Sequence, residues 1–193
     1  MRSFQEFVFR WRGGLLAPLA VVLLVGAQPT LASFGLGLGL ALAGESLRLW
    51  AIGYTGEPTR GQELDAPALV TAGPYSLTRN PLYLGNLLNG LALALAAAGG
   101  HTWERAAMLV GMAACGLAFV YGSIIPLEEQ FLEEKFGRAY REYKQSVAGL
   151  IPRSTRLKPG YGSFSLRRAL LFERSSLIWW ASIWGILWLR VGP

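Results

Sequence analysis

Apolar residues gather in long stretches separated by short polar ones, at residues 15–28, 31–54, 81–98, 106–125 and 177–191. A helix needs about 20 residues to cross a ~30 Å hydrocarbon layer, so the middle three are long enough to span and the two terminal ones are marginal. The pattern predicts an all-α, multi-pass helical bundle of about five spans, forming a single membrane-integral domain over residues 1–193. Ahead of the first span, Phe4, Phe7, Val8 and Trp11 share one helical face. An interfacial helix that breaks at Gly13-Gly14 and leads into the span fits this better than a cleaved leader. In the second span Gly35, Gly39 and Ala43 recur every four residues, the spacing that lets a neighbouring helix approach closely.

Composition agrees with lipid as the solvent: 52% of residues are apolar and only 16% charged. The net charge of +6 is explained by topology rather than by nucleic acid. With an inside N-terminus and five spans, the inner side receives Arg2, Arg10, Arg12, Arg48, Arg60, Arg79 and ten Lys or Arg between Lys135 and Arg174. The outer side keeps only Arg105 and Arg190. The expected orientation therefore has the N-terminus and the long loops in the cytosol and the C-terminus outside.

Two isolated residues carry no chemistry of their own. Cys115 reads as a small packing residue inside an apolar helix, and His101, with no Cys or carboxylate neighbour, as part of a turn and not a metal ligand.

The polar residues that could carry function lie on the inner side. In the first inner loop, Gly73-Pro74 signals a turn, and Asn80-Pro81 sets an N-cap residue before a proline at the first helical position. The N–H groups at that helix start, beside Arg79, could hold an anion, with Tyr83 and Asn86 extending a polar edge into the span. An interfacial anchor in which Arg79 and Tyr83 only fix depth is the competing account. The second inner region begins at Pro126 with the paired carboxylates Glu128 and Glu129, which need a partner in a basic protein. Phe131, Leu132 and Phe136 give it an apolar face, Gly137 ends it, and residues 138–147 form another amphipathic stretch carrying Tyr140 and Tyr143. Glu133, Glu134 and Lys135 read as a solvated face. Glu45 and Arg48, three apart, read as a structural ion pair, with a place on a cavity wall as the alternative. Trp180, Trp184 and Trp188 form a stripe suited to packing or lipid contact, and Arg167, Arg168 and Arg174 to anionic headgroups.

Taken together, the run Gly-Pro-Tyr-x-x-x-Arg-Asn-Pro-x-Tyr-x-Gly at 73–85, then Glu128-Glu129-x-x-Leu132-x-x-x-Phe136-Gly137-x-x-Tyr140-x-x-Tyr143 and Ile151-Pro152-Arg153, resembles the isoprenylcysteine carboxyl methyltransferase and phospholipid methyltransferase superfamily. The resemblance covers roughly residues 47–153. It implies a cytosolic pocket for S-adenosylmethionine lined by Leu69, Val70, Gly73, Tyr75, Arg79, Asn80, Tyr83, Glu128 and Glu129, with Arg79 and Glu128 as the residues that carry catalysis. Arg79 and the helix start would suit the ligand's carboxylate, a glutamate its ammonium or ribose, and the aromatic residues its adenine or sulfonium. Many members carry His where this chain has Asn80, so the resemblance stops short of a titrating imidazole there.

The activity implied is methyl transfer to a lipophilic acceptor, most like carboxyl O-methylation of a prenylated cysteine, with N-methylation of a phospholipid amine as the alternative. Such a displacement needs alignment and desolvation, in keeping with the lack of a Ser–His–Asp or Cys–His constellation. A sterol-reductase-like membrane oxidoreductase and a non-enzymatic helical scaffold or transporter subunit are the rivals. Neither accounts for both motifs on one side of the membrane.

Overall fold

The structure, a computed structural model, describes residues 2–56 and 64–192. Arg60, counted above toward the inner side, lies outside the described residues. Six α-helices follow one another: α1 (Arg2–Val25), α2 (Leu31–Thr55), α3 (Pro81–Ala98), α4 (Trp103–Phe136), α5 (Arg138–Ser146) and α6 (Leu166–Trp188), with a 3₁₀ turn at Gly73–Ser76 before α3. Among the described residues there is no strand. Each predicted apolar stretch is helical over most of its length, and α1, α3 and α4 are long and apolar enough to cross a membrane. The protein is a helical membrane protein.

The predicted break at Gly13-Gly14 is absent, and the boundary at Pro126 does not interrupt its helix. Helix α1 runs straight through Gly13-Gly14, since a glycine costs a helix only about 1 kcal/mol and the flanking turns carry the ladder past it. Helix α4 likewise continues through Pro126, where proline removes one ladder bond and its ring crowds the Gly122 carbonyl, and the ladder on either side carries the helix past it. At 34 residues α4 is about 51 Å long against a ~30 Å apolar layer, so its last turns, with Glu128 and Glu129, extend past the hydrocarbon. Gly137 stops it as expected, at a left-handed φ of 55° with its N–H on the Glu133 carbonyl.

Helix α2 packs most extensively on α3, and also on α6, while α4 joins α1 to α3. The close-approach stripe on α2 is Gly37, Ala41 and Gly44, not Gly35, Gly39 and Ala43. A Cβ at Gly37 or Gly44 would sit 2.8 Å from the carbonyl of Ala92 or Gly85 on α3, whereas one at Gly35 or Gly39 would meet nothing within 4 Å. Both faces of α2 hold small residues, so spacing alone cannot tell which one the neighbour takes. Cys115 is also turned outward instead of into the packing.

At the end of the bundle holding the short turns, Gln28 donates to the Ala97 carbonyl at 2.9 Å, Gly100 to that of Gln28 at 2.6 Å, and Gly192 to that of Pro29 at 3.0 Å. The His101 ring lies 2.7 Å from the Gly26 carbonyl, a turn residue as expected. Thr30 and Ser33 cap α2 reciprocally. Trp184 is buried against Phe34, Trp180 donates to Asn89, and Trp188 is exposed, so the tryptophan stripe is part packing and part surface.

Candidate functional site

At the opposite end, where the long connections lie, the helices part around a cavity of about 490 Å³, within the ordinary range for small-molecule sites. Its walls come from α1 (Phe9, Arg12), α2 (Arg48, Ile52, Thr55), residues 64–75, the start of α3 (Asn80 to Tyr83, Asn86), α4 (Glu128, Phe131, Leu132), Tyr143 of α5, and Glu173 and Ser176 of α6. Of the nine residues singled out in the sequence, Leu69, Val70, Tyr75, Arg79, Asn80, Tyr83 and Glu128 line it. Gly73 and Glu129 do not.

Gly73 shapes the rim. Its φ is 61°, and a side chain there would fall inside the Tyr54 ring, so only glycine lets the 3₁₀ turn sit on α2. That turn buries Tyr75, whose carbonyl accepts from the Tyr143 hydroxyl at 2.7 Å. Burial pushes the hydroxyls of Tyr75, Tyr140 and Tyr143 above the ordinary phenol range, so all three stay protonated.

Glu129 instead holds Arg79. The guanidinium Nε and Nη2 donate to Glu129 Oε1 at 2.9 and 2.7 Å, and Nη1 to the carbonyls of Val147 and Lys144. Every nitrogen of Arg79 has a protein partner, and Lys144 Nζ reaches the other Glu129 oxygen at 3.4 Å. Asn80 occupies the N-cap position of α3, yet its amide does not cap the helix; it donates to the Gly149 carbonyl at 2.8 Å. With the bridge between Thr78 and Ala148, these bonds fix the chain after α5 to the start of α3.

The two carboxylates thus have separate partners: Glu128 accepts from the Tyr83 hydroxyl and faces the cavity, while Glu129 is part of the clamp. Deeper, Arg48 is 3.2 Å from Glu45 and 2.8 Å from the fully buried Glu173, and also donates to Asn86. Asn89 joins Glu45 at 2.9 Å. The expected pair of Glu45 and Arg48 is present, and Arg48 stands on the cavity wall as well. Sequence reading missed Phe9, Arg12, Phe131, Glu173 and Ser176; an acidic residue among apolar ones in the last helix was the one signal for Glu173. Arg168 turns inward to the carbonyls of Tyr54 and Ser163.

The lining is aromatic and carries both charges: Glu128, Glu173 and Asp65 share it with Arg12, Arg48 and Arg79 and with Phe9, Tyr75, Tyr83, Phe131 and Tyr143, and Arg48 and Arg79 are held by Glu173 and Glu129. Such a wall suits a ligand that carries both charges and a flat aromatic part.

Residues 30–139 match the family model for phospholipid methyltransferases. The chain is similar to the cobalt-zinc-cadmium resistance protein CzcN of Cupriavidus metallidurans, with 34% identity over 144 residues, 75% of this chain and 54% of that protein. It therefore spans about half the length of that relative. No solved structure matches the chain. The family match contains all nine motif residues and leaves out Phe9, Arg12, Tyr143, Glu173 and Ser176.

Proposed function

The chain belongs to the phospholipid methyltransferase family, and from that we propose that it is an S-adenosylmethionine-dependent methyltransferase acting on a lipophilic acceptor. The observation that carries this reading is the convergence of seven motif residues on one charged, aromatic cavity at the end of the bundle that holds the long connections. The residues fit the ligand's charges. Glu128, held by Tyr83, is the partner for its ammonium or ribose hydroxyls. Phe9, Tyr75, Tyr83 and Phe131 offer faces to the adenine and the sulfonium. The first turn of α3, with Leu82 on the cavity wall, offers backbone N–H groups to the carboxylate. Arg79, committed to Glu129, adds positive field there while positioning α3 against α4 and α5.

When bound, the ligand supplies an electrophilic methyl: its bond to sulfur breaks, the pair stays on sulfur as a thioether, and a bond forms to the acceptor. The protein's part is to align the two and exclude water. A carboxylate acceptor, as on a prenylated cysteine, has no proton to lose. An amine acceptor does, and the Arg48–Glu173 ion pair on the cavity wall is the polar site beside which its headgroup would lie.

The test is isothermal titration of detergent-purified protein with S-adenosylmethionine and S-adenosylhomocysteine, with nicotinamide dinucleotides as controls. Binding of both adenosyl ligands is expected, weakened at least about tenfold by Glu128→Gln, since a hydrogen bond to a charged group contributes about 1.5–3 kcal/mol. Absence of binding in folded protein overturns the proposal, and nicotinamide binding in its place moves a reductase forward. Amine-headed and carboxyl-headed acceptors, compared under Glu173→Gln, separate the two acceptor readings.

A further inference from the structure

A second cavity, of about 450 Å³, adjoins the first. The two share Arg12, Arg48, Asn86 and Ser176, so they meet at these four side chains. Beyond that junction, past Asn89 and Tyr121, the lining turns apolar: Leu16, Leu19 and Leu23 on α1 line it with Leu93 on α3 and Leu117 on α4. Glycine keeps the slot open. A Cβ at Gly90 would lie 2.7 Å from Leu117, and Gly13, exposed near the junction, has nothing within 4 Å of where its Cβ would be. From Arg12 to the buried Leu23 is eleven residues of helix, about 16 Å at 1.5 Å per residue.

Resting on the methyltransferase reading, we propose that this slot between α1, α3 and α4 holds the hydrocarbon tail of the acceptor and measures its length. The headgroup sits at Arg12, Arg48, Asn86 and Ser176, next to the methyl donor, and one extended chain runs toward Leu23. The occupant follows from the change of lining along the second cavity: a polar end beside the reaction chamber and an apolar end closed by the core suit a single-chain amphiphile of matching length. A water-soluble acceptor would leave the apolar half without a ligand. The exposed Gly13 on the cavity wall places the entrance at the outer surface of α1.

The test uses single-chain alkyl amines and alkyl carboxylates carrying a diazirine either near the headgroup or about 16 Å from it, photolysed with the full chain in nanodiscs and mapped by mass spectrometry. The expected result is label near residues 13–16 from the first probe and near Leu23 and Leu93 from the second. Gly13→Phe is expected to reduce both labels at least tenfold. Ala20→Phe, partway along, reduces only the distal one. Val21→Phe, on an exposed part of α1, changes neither. S-adenosylhomocysteine titration on the same variants reports folding. Label spread over exposed positions such as Met108, unchanged by Gly13→Phe while the adenosyl ligand still binds, overturns the tail site and leaves the methyltransferase reading standing. Loss of adenosyl binding in the wild type removes both.

Discussion

Arg79 and Glu129, fifty residues apart, form the tightest junction at the loop-bearing end, with Nη2 and Nε on a single carboxylate oxygen at 2.7 and 2.9 Å and both side chains nearly buried. Because Nη1 also takes carbonyls from the end of α5, this one guanidinium ties together α3, α4 and the chain after α5.

Breaking one member of such a buried pair leaves a desolvated charge behind. Arg79→Ala is expected to cost about 3 kcal/mol or more, and Glu129→Gln less, since the amide still accepts from Arg79. Thermal unfolding in detergent checks this, and in a double-mutant cycle the two losses should be far from additive. Additive losses would show that the pair is not coupled.

The deeper network has two carboxylates on one guanidinium. Arg48→Met is expected to leave Glu45 and Glu173 uncompensated and cost about 3 kcal/mol or more, with much of the loss recovered by adding Glu45→Gln and Glu173→Gln. Unfolding of the single and triple variants measures it. A triple variant no more stable than the single would mean that the cost is packing and not charge.

The choice between the two small-residue faces is open to direct comparison. At Gly85 a Cβ would lie 2.7 Å from the Gly44 carbonyl, so Gly85→Ala is expected to cost about 2 kcal/mol by overpacking. Gly35→Ala and Gly39→Ala, with open space around them, should be neutral or stabilising by up to about 1 kcal/mol. Equal effects at all three sites would contradict the observed packing of α2 on α3.

Orientation is a proposal from the basic residues and is read by accessibility. In a Cys115→Ser background, Arg156→Cys should react with an impermeant maleimide only after cell lysis, and Thr102→Cys in intact cells. The reverse pattern would put the cavity on the other side of the membrane.

Much of the molecule is legible in the chain because its causes are local. Long apolar stretches announce helices in lipid, Gly137 stops α4 because the backbone there needs a left-handed φ, and the Gly73-Pro74 turn and Asn80-Pro81 start mark one edge of the cavity. The motif residues lie within two short windows, and those windows fold against each other.

What the sequence by itself determined is therefore the class of fold, the solvent and most of the cavity's chemistry. Tertiary structure alone decided which face of α2 meets α3, that Glu129 spends its charge on Arg79 while Glu128 faces the cavity, and that Arg12 and Glu173 line the same cavity although 161 positions separate them. The physical reason is common to all three. Helical periodicity states which residues share a face, but the partner of that face depends on packing between distant segments, and a charge is paired or available only once the whole bundle has closed around it.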